Sequence, residues 1–303
     1  MPKYDDKVVV IVGQTGIGKT ELSLKLAEKY RGEIINCDAS QMKKGLDIGT
    51  AKVDLSKVNI KHHLIDIIKP DEKYSCADFQ TEARKIIKVL NIEGKLPFII
   101  GGTGLYACAA IYDYNLQYDK MKIDIDQYDI YSNEELHNIL KEVDYESYKS
   151  IHMNNRVRMI RAIDSARNGY KISEKKGKKD LVYDALIICL KTDREILYDR
   201  INRRVDLMVE QGFAEECMSL QDRGYDLMLL SDIGYRQMFM YINKLYPMKD
   251  VKDSIKMHTR RYAKRQMTWF KNQMDCVFVD MNYDDINKTV DEVSKLIDNY
   301  LNK

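Results

Sequence analysis

The stretch VVVIVGQTGIGKTELSLKLAEKYRGEIINCD, residues 8–38, carries the first decision about this chain. It reads as an apolar strand, a glycine-rich turn, a helix with Leu22, Leu26 and Ala27 on one face, and a second apolar strand that ends at a carboxylate, Asp38. Gly13-x4-Gly18-Lys19-Thr20 is a full Walker A pattern. In that setting Gly13, Gln14, Thr15, Gly16, Ile17, Gly18, Lys19 and Thr20 are expected to cradle a phosphate chain. Backbone N–H groups converge on its oxygens, Lys19 adds a mobile charge, and the Thr20 hydroxyl is placed to ligate Mg²⁺. The loop does not say which phosphate ester it holds. A right-handed βαβ crossover is expected to lay the second strand beside the first, with both carboxyl ends on one edge. Asp38 then faces the phosphate site as a magnesium anchor, as a base acting on whatever attacks the phosphate-bearing molecule, or as a solvated turn aspartate.

Outward from this unit the alternation continues. Apolar runs at 63–68, 96–100, 186–190 and 277–279 read as strands, and 75–90 and 193–211 as helices, the latter halted at Gly212. The chain closes on an amphipathic helix that puts Ile286, Val290, Val293, Ile297 and Leu301 on one face. Continuous rather than alternating apolar strands are covered on both faces. The fold class expected is therefore α/β, a P-loop NTPase-like doubly wound parallel sheet. Between residues 113 and 184 the alternation stops in a Tyr-, Asp- and Lys-rich stretch with helical pieces at 134–141 and 155–166. The organisation expected is a core in two parts, 1–112 and 185–303 with C-terminal helices, interrupted by a helical insertion at 113–184.

Composition narrows the classes further. No apolar run approaches the roughly 18 residues of a membrane span, and the N-terminus lacks a signal-peptide layout; a cytoplasmic protein is expected. The six cysteines are scattered with no C-x-x-C pair, which points to reduced thiols rather than a disulfide or zinc framework. Net charge is only +2 but uneven: residues 113–146 carry ten acids against three Lys/Arg, residues 156–179 nine Lys/Arg against two acids, and residues 256–271 six against none. Local basic stripes suit one aimed polyanion surface or solvated helix faces.

Several blocks then act together: CDASQMKKGLDIGTAK (37–52), HHLIDIIKPDEKYSCADFQ (62–80), GGTGLY (101–106), IHMNNRVRMIRAID (151–164), DRINRRVDLMVEQG (199–212), IGYRQM (233–238) and RRYAKRQMTWF (260–270). In this order they resemble the tRNA dimethylallyltransferase (tRNA isopentenyltransferase) family over nearly the whole chain. The resemblance implies transfer of a dimethylallyl group from dimethylallyl diphosphate to N6 of the adenosine 3′ of the anticodon. The partners it implies are tRNA, through its anticodon stem-loop, and the diphosphate donor, with Mg²⁺ as cofactor, no membrane, and a monomer. It implies Asp38 as general base, with Thr103 and Arg204 beside it as catalytic residues, Arg204 on the diphosphate. It implies tRNA contacts at Asp38, Ala39, Ser40, Gln41, Thr103, Arg158, Arg161, Arg265, Gln266 and Trp269. This chain departs from the family pattern at Ala39, where serine is usual, and at Lys43, where tyrosine is usual. Competing readings are an adenylate isopentenyltransferase acting on free nucleotides, a P-loop kinase of a small metabolite, and a nucleotide-switched RNA-binding protein.

Overall fold

The computed structural model describes residues 4–114, 116, 125–175 and 180–302. Parts of the acidic and basic stretches, residues 115, 117–124 and 176–179, lie outside the described residues. The strands are β1 (Tyr4–Gly13), β2 (Glu33–Asn36), β3 (His62–His63), β4 (Pro97–Gly101), β5 (Tyr183–Lys191) and β6 (Val277–Asp280). They form one sheet in the order β3-β2-β4-β1-β5-β6, and all pairings are parallel. The doubly wound α/β class expected from the sequence is the one observed.

Two sequence expectations are corrected. The second strand does not lie beside the first, because β4 sits between them, pairing Val9 with Phe98 on one side and Ile34 with Phe98 on the other. Residues 97–101 read PFIIG, apolar and buried throughout, and a strand coated on both faces belongs at the sheet centre. The apolar run at 63–68 is not a strand beyond His63. Leu64 and Asp66 adopt left-handed backbone angles (φ 60 and 55), so the chain bends while Leu64, Ile65 and Ile68 still bury their side chains.

Helix α1 (Lys19–Lys29) starts at Gly18, whose φ of 101 suits glycine and no β-carbon residue. Helix α2 (Cys76–Ile92) precedes β4, and α3 (Gly104–Ile111) follows it. After β5 come α7 (Arg194–Glu210), α8 (Phe213–Asp222), α9 (Tyr235–Ile242), the 26-residue α10 (Met248–Gln273) and, past β6, α11 (Ile286–Leu301). Val8 to Val12 are fully buried between these layers, about 1.5–3 kcal/mol of apolar transfer each. Tyr300 of α11 ties that helix to the sheet: its hydroxyl accepts from the Val8 N–H at 3.1 Å and donates to the Asp184 carbonyl at 2.5 Å. A second apolar cluster, built on Phe213, Tyr235, Leu220 and Ile255, packs α7 to α10.

By contacts the chain divides into two compact units. One spans Met1–Tyr74, Phe79–Tyr112 and Leu181–Lys303, and the other Ser75–Asp78 and Asp113–Asp180. The second holds α4 (Asn133–Val143), α5 (Tyr145–Ser150) and α6 (Arg156–Arg167) around Tyr128, Leu136, Leu140 and Ile160. Ser132 and Glu135 form a capping box at the start of α4. Asp144 holds the turn into α5, accepting from the Ser147 N–H at 3.1 Å and the Ser147 hydroxyl at 2.6 Å.

The exits of β2 and β4 touch. The Cys37 N–H donates to the Ile100 carbonyl at 2.7 Å, and the Thr103 N–H returns a bond to the Cys37 carbonyl at 3.0 Å. A Cβ added at Gly101 would stand 2.0 Å from the Cys37 carbonyl oxygen. Gly101→Ala is expected to lose about 1–3 kcal/mol of stability by overpacking, read by denaturant titration.

Candidate active site

All six strands deliver their carboxyl ends to one edge, where open α/β sheets place ligands. There a cavity of about 540 Å³ opens, lined among others by Thr15, Asp38, Ser40, Thr50, Arg204 and Tyr262. The phosphate loop forms part of its wall. Lys19 folds back on its own loop, donating from Nζ to the Gly13 carbonyl at 2.8 Å and the Gln14 carbonyl at 2.9 Å. Burial lowers its pKa to about 8, against the opposing pull of Asp38. Ile17 is wholly buried and Gly16 hands its carbonyl to Arg200 Nε at 3.0 Å, so these two shape the loop. Tyr283 stacks on Arg200 at 4.1 Å and donates its hydroxyl to the Ile17 carbonyl at 3.2 Å. Thr20, in the first turn of α1, is exposed.

Arg204 reaches the same loop from α7. Its guanidinium donates to the Thr15 hydroxyl at 3.3 Å and the Thr50 carbonyl at 3.1 Å, while its Nε has no protein partner. Burial pulls its pKa down, and Asp38 opposes this. A guanidinium with an unspent donor beside a phosphate loop is suited to an anion.

Asp38 lies just past β2. The Ser40 N–H donates to its Oδ1 at 3.1 Å, an Asx turn that fixes the carboxylate. Burial raises its pKa above the usual carboxylate value, and Lys19, the Ser40 N–H and Arg204 counter that. Thr103 accepts the Ala39 N–H on its hydroxyl at 3.1 Å, so it holds the Asp38 turn in place. Gln41 points the other way, to the carbonyls of Thr50 and Ala51 at 3.4 Å.

Gln266 is 5% exposed. Its Oε1 accepts the Thr15 N–H at 2.8 Å and its Nε2 donates to the Gly102 carbonyl at 2.9 Å. Gln14 donates to the Ala263 carbonyl at 2.9 Å. Thus α10 clips the phosphate loop to the loop after β4. Arg265 is exposed, and Trp269 is half-buried with its ring against Gly104. The two basic stripes divide their labour. Lys256 pairs with Asp206 at 2.8 Å and Arg260 bonds Asn202 at 2.6 Å, so these bind α10 to α7, whereas Lys264, Arg265 and Lys271 face solvent. In the other unit Arg156 donates to the carbonyls of Tyr128 and Tyr131 at 2.7 Å, whereas Arg158 and Arg161 are exposed.

The family model described as IPP transferase matches residues 41–273. The chain belongs to the IPP transferase family. A tRNA dimethylallyltransferase of Anoxybacillus flavithermus is 43% identical, with 97% of this chain and 96% of that protein covered. One from Staphylococcus saprophyticus is 40% identical over 95% of both. The solved full-length tRNA isopentenylpyrophosphate transferase of Bacillus halodurans matches with a TM-score of 0.73 at 38% identity, covering 98% of this chain and 97% of that one. A eukaryotic dimethylallyltransferase acting on tRNA matches with a TM-score of 0.81 at 28% identity, over 91% of this chain and 74% of that one. No helix among the described residues is long and apolar enough to cross a membrane.

The structure brings together residues of this family member that the sequence reading passed over. Tyr262 lines the cavity and hydrogen-bonds the side chains of Gln266 and Thr103; burial and the Asp38 charge push its phenol up to about 12. Tyr262 precedes Gln266 by four residues and Arg200 precedes Arg204 by four, so helical spacing was the available signal for both. Glu216 of α8 was also missed. Its carboxylate accepts the N–H groups of Asp47, Ile48 and Gly49 at 2.9, 2.6 and 3.1 Å and the Tyr235 hydroxyl at 2.8 Å, anchoring the GLDIGTAK segment that carries Thr50.

The depressed Lys19 sets a pH dependence. Below pH about 8 Lys19 carries its proton; above it the free protein has lost that proton and anion binding must recover it. Pyrophosphate binding is expected to weaken as pH rises through about 8, with net proton uptake that calorimetry in two buffers detects and that Lys19→Met lacks.

Proposed function

We propose that this protein transfers a dimethylallyl group from dimethylallyl diphosphate to N6 of the adenosine 3′ of the anticodon in tRNA. The observation that carries the reading is the pairing of Asp38 with the Gly13–Thr20 loop at one cavity, in a chain alike to tRNA dimethylallyltransferases over its whole length. The step breaks the bond between the allylic carbon and the diphosphate oxygen and forms one from that carbon to N6. The N6 proton passes to Asp38, and pyrophosphate leaves.

Each residue has a physical task in this step. The N6 lone pair is delocalised into the purine ring, so the amine is a weak nucleophile, and a carboxylate that accepts its proton activates it. The depth that raises Asp38 makes it a better base than a solvated aspartate, while Lys19 and Arg204 favour its ionised form. Those two cations, with the loop N–H groups and the α1 N-terminus, meet the charge that builds on the departing diphosphate. Thr103 positions the Asp38 turn through the Ala39 N–H. The Phe213, Met208 and Ile255 wall of the cavity offers apolar surface to the five-carbon chain.

Thr20 is an exposed hydroxyl in the first turn of α1, and the described residues contain no cluster of three His, Cys, Asp or Glu that would hold a metal by itself. This hard-oxygen donor fits Mg²⁺ brought with the diphosphate, with Thr20 as the protein ligand. When bound, Mg²⁺ neutralises charge on the leaving group.

The insertion expected at 113–184 ends at Asp180, because Tyr183 and Asp184 already pair with β1 in the core sheet; the unit that holds 113–180 contacts tRNA. Arg158 and Arg161, exposed one turn apart on α6, grip tRNA phosphates, as does exposed Arg265, and the half-buried Trp269 ring offers a face on which a loop base can stack. Loop nucleotides are already single-stranded, so bringing the target adenine out costs less than the few kcal/mol of duplex extrusion. Ala39 and Ser40 line the cavity beside Asp38 and border the acceptor base, whereas Gln41, turned to the Thr50 and Ala51 carbonyls, acts only on the wall behind it. Gln266 serves the RNA indirectly, by shaping the loops it bridges. The working form is a cytoplasmic monomer.

Incubation with labelled dimethylallyl diphosphate and either bulk tRNA or AMP is expected to move label to tRNA alone; label on AMP would favour the free-nucleotide reading. Asp38→Ala is expected to keep pyrophosphate binding and lose at least about a hundredfold in single-turnover rate. Replacing Arg158 and Arg161 by Gln is expected to flatten the log–log salt dependence of tRNA binding by up to about two units; an unaltered slope would remove these arginines from the interface.

A further inference from the structure

Lys43 and Asp232 line the same cavity as Asp38, and the transfer step above does not use them. Lys43 Nζ stands 2.6 Å from Asp232 Oδ2, with side chains only 15% and 7% exposed. The Lys43 backbone is held on both sides. Its N–H donates to the Ser40 carbonyl at 3.3 Å, and its carbonyl accepts Lys52 Nζ at 2.8 Å. Lys52 is in turn bonded to Asp47 and Asp66 at 2.6 Å each. Asp232 sits two residues before Gly234, whose N–H is bonded to Gln237 Oε1 at 2.9 Å at the start of α9. The pair is therefore built from two braced backbones and is not a meeting of loose surface charges.

Its place among the charges around Asp38 gives it a task. Asp38 is faced by Lys19 of α1, Arg204 of α7, Asp232 from the connection between α8 and α9, and the Tyr262 phenol of α10, with Cys37 just before it past the end of β2. Glu72 and Arg265 line the cavity too, but both are exposed to water. Asp232 is thus a second enclosed carboxylate of the cavity, and its negative charge acts on Asp38 across a space with little water to screen it. Burial raises the Asp38 carboxyl most, Lys19, the Ser40 N–H and Arg204 oppose that rise, and the Asp232 charge adds a smaller upward push.

We propose that Lys43 and Asp232 are positioning residues for the transfer step, in which the Lys43 ammonium neutralises the cavity's second carboxylate and so keeps Asp38 ionised to receive the N6 proton. This rests on the reading of Asp38 as the base. It also gives a physical role to lysine at a position where the family pattern has tyrosine.

The test is the pH profile of single-turnover kcat/KM on tRNA for the wild type and for Lys43→Met, Asp232→Asn and the double variant. Lys43→Met leaves Asp232 uncompensated, and the acid limb is expected to move up by about one pH unit, a tenfold loss at any pH on the limb. Asp232→Asn keeps a hydrogen-bond acceptor for Lys43 but removes the negative charge, and the limb is expected to move down. The double variant, with neither charge, is expected to return near the wild-type limb. Should Lys43→Met fail to fold, the downward shift of Asp232→Asn carries the test alone. Activity losses with an unmoved acid limb would mean a structural role only and overturn the proposal. Asp38→Asn is the control: if it retains both rate and limb, the base reading itself fails and takes this proposal with it.

Discussion

The Gln266 side chain is the constraint on which the site depends. With one amide group it accepts the Thr15 N–H and donates to the Gly102 carbonyl, both within 2.9 Å and both away from water. The phosphate loop leaves β1 and the GGTG loop leaves β4; neither has regular structure at that point to hold the other. A buried amide that bonds two loops at once fixes their spacing to within a hydrogen bond's tolerance, because releasing either loop would strand a buried polar group at a cost of about 1–3 kcal/mol. Gln14 adds a second tie to α10 through the Ala263 carbonyl. Arg200 and Tyr283 brace the far side of the loop at Gly16 and Ile17. The Asp38 turn, through Thr103, and Arg204, through Thr15, both bond to this frame.

Within it, opposite charges are set close enough to shift one another while little water intervenes. Burial drives Lys19 and Asp38 toward their neutral forms, and each is the other's main opposing influence. Arg204 stabilises the carboxylate and lowers Lys19 further. In the proposed function a diphosphate would add a second anion beside Asp38 for Lys19 and Arg204. Substrate binding and catalytic electrostatics thus draw on one set of charges.

The wall formed by residues 43–52 is held with comparable rigidity from elsewhere in the fold. Glu216 caps three successive N–H groups of the Asp47–Gly49 turn, Lys52 ties it to Asp66, and Thr50 presents its carbonyl to Arg204. The departure at Ala39 removes a hydroxyl, yet the Ala39 N–H still reaches Thr103, so the turn that aims Asp38 survives the change. The departure at Lys43 brings a charge that a buried partner matches.

How much could be read before folding follows from the range of each interaction. The Walker A octet, the alternating strands and helices, the stop of α7 at Gly212 and the helices now seen as α4 and α6 were legible, because local spacing and burial pattern determine them. Asp38 and Arg204 were legible through the motifs around them. The order of the strands was not: Phe98 had to come between Val9 and Ile34, and which apolar strand takes the centre depends on how all six are coated. Nor did the bend at Leu64 show, since an apolar run looks the same whether it buries as strand or as turn. The Gln266 bridge, the Tyr262 phenol near Asp38, the Glu216 cap and the Lys43–Asp232 pair join residues far apart in the chain. The sequence alone determined what kinds of groups the site contains. Only tertiary packing decided which of them meet at hydrogen-bond distance, and therefore which charges exist in each other's field.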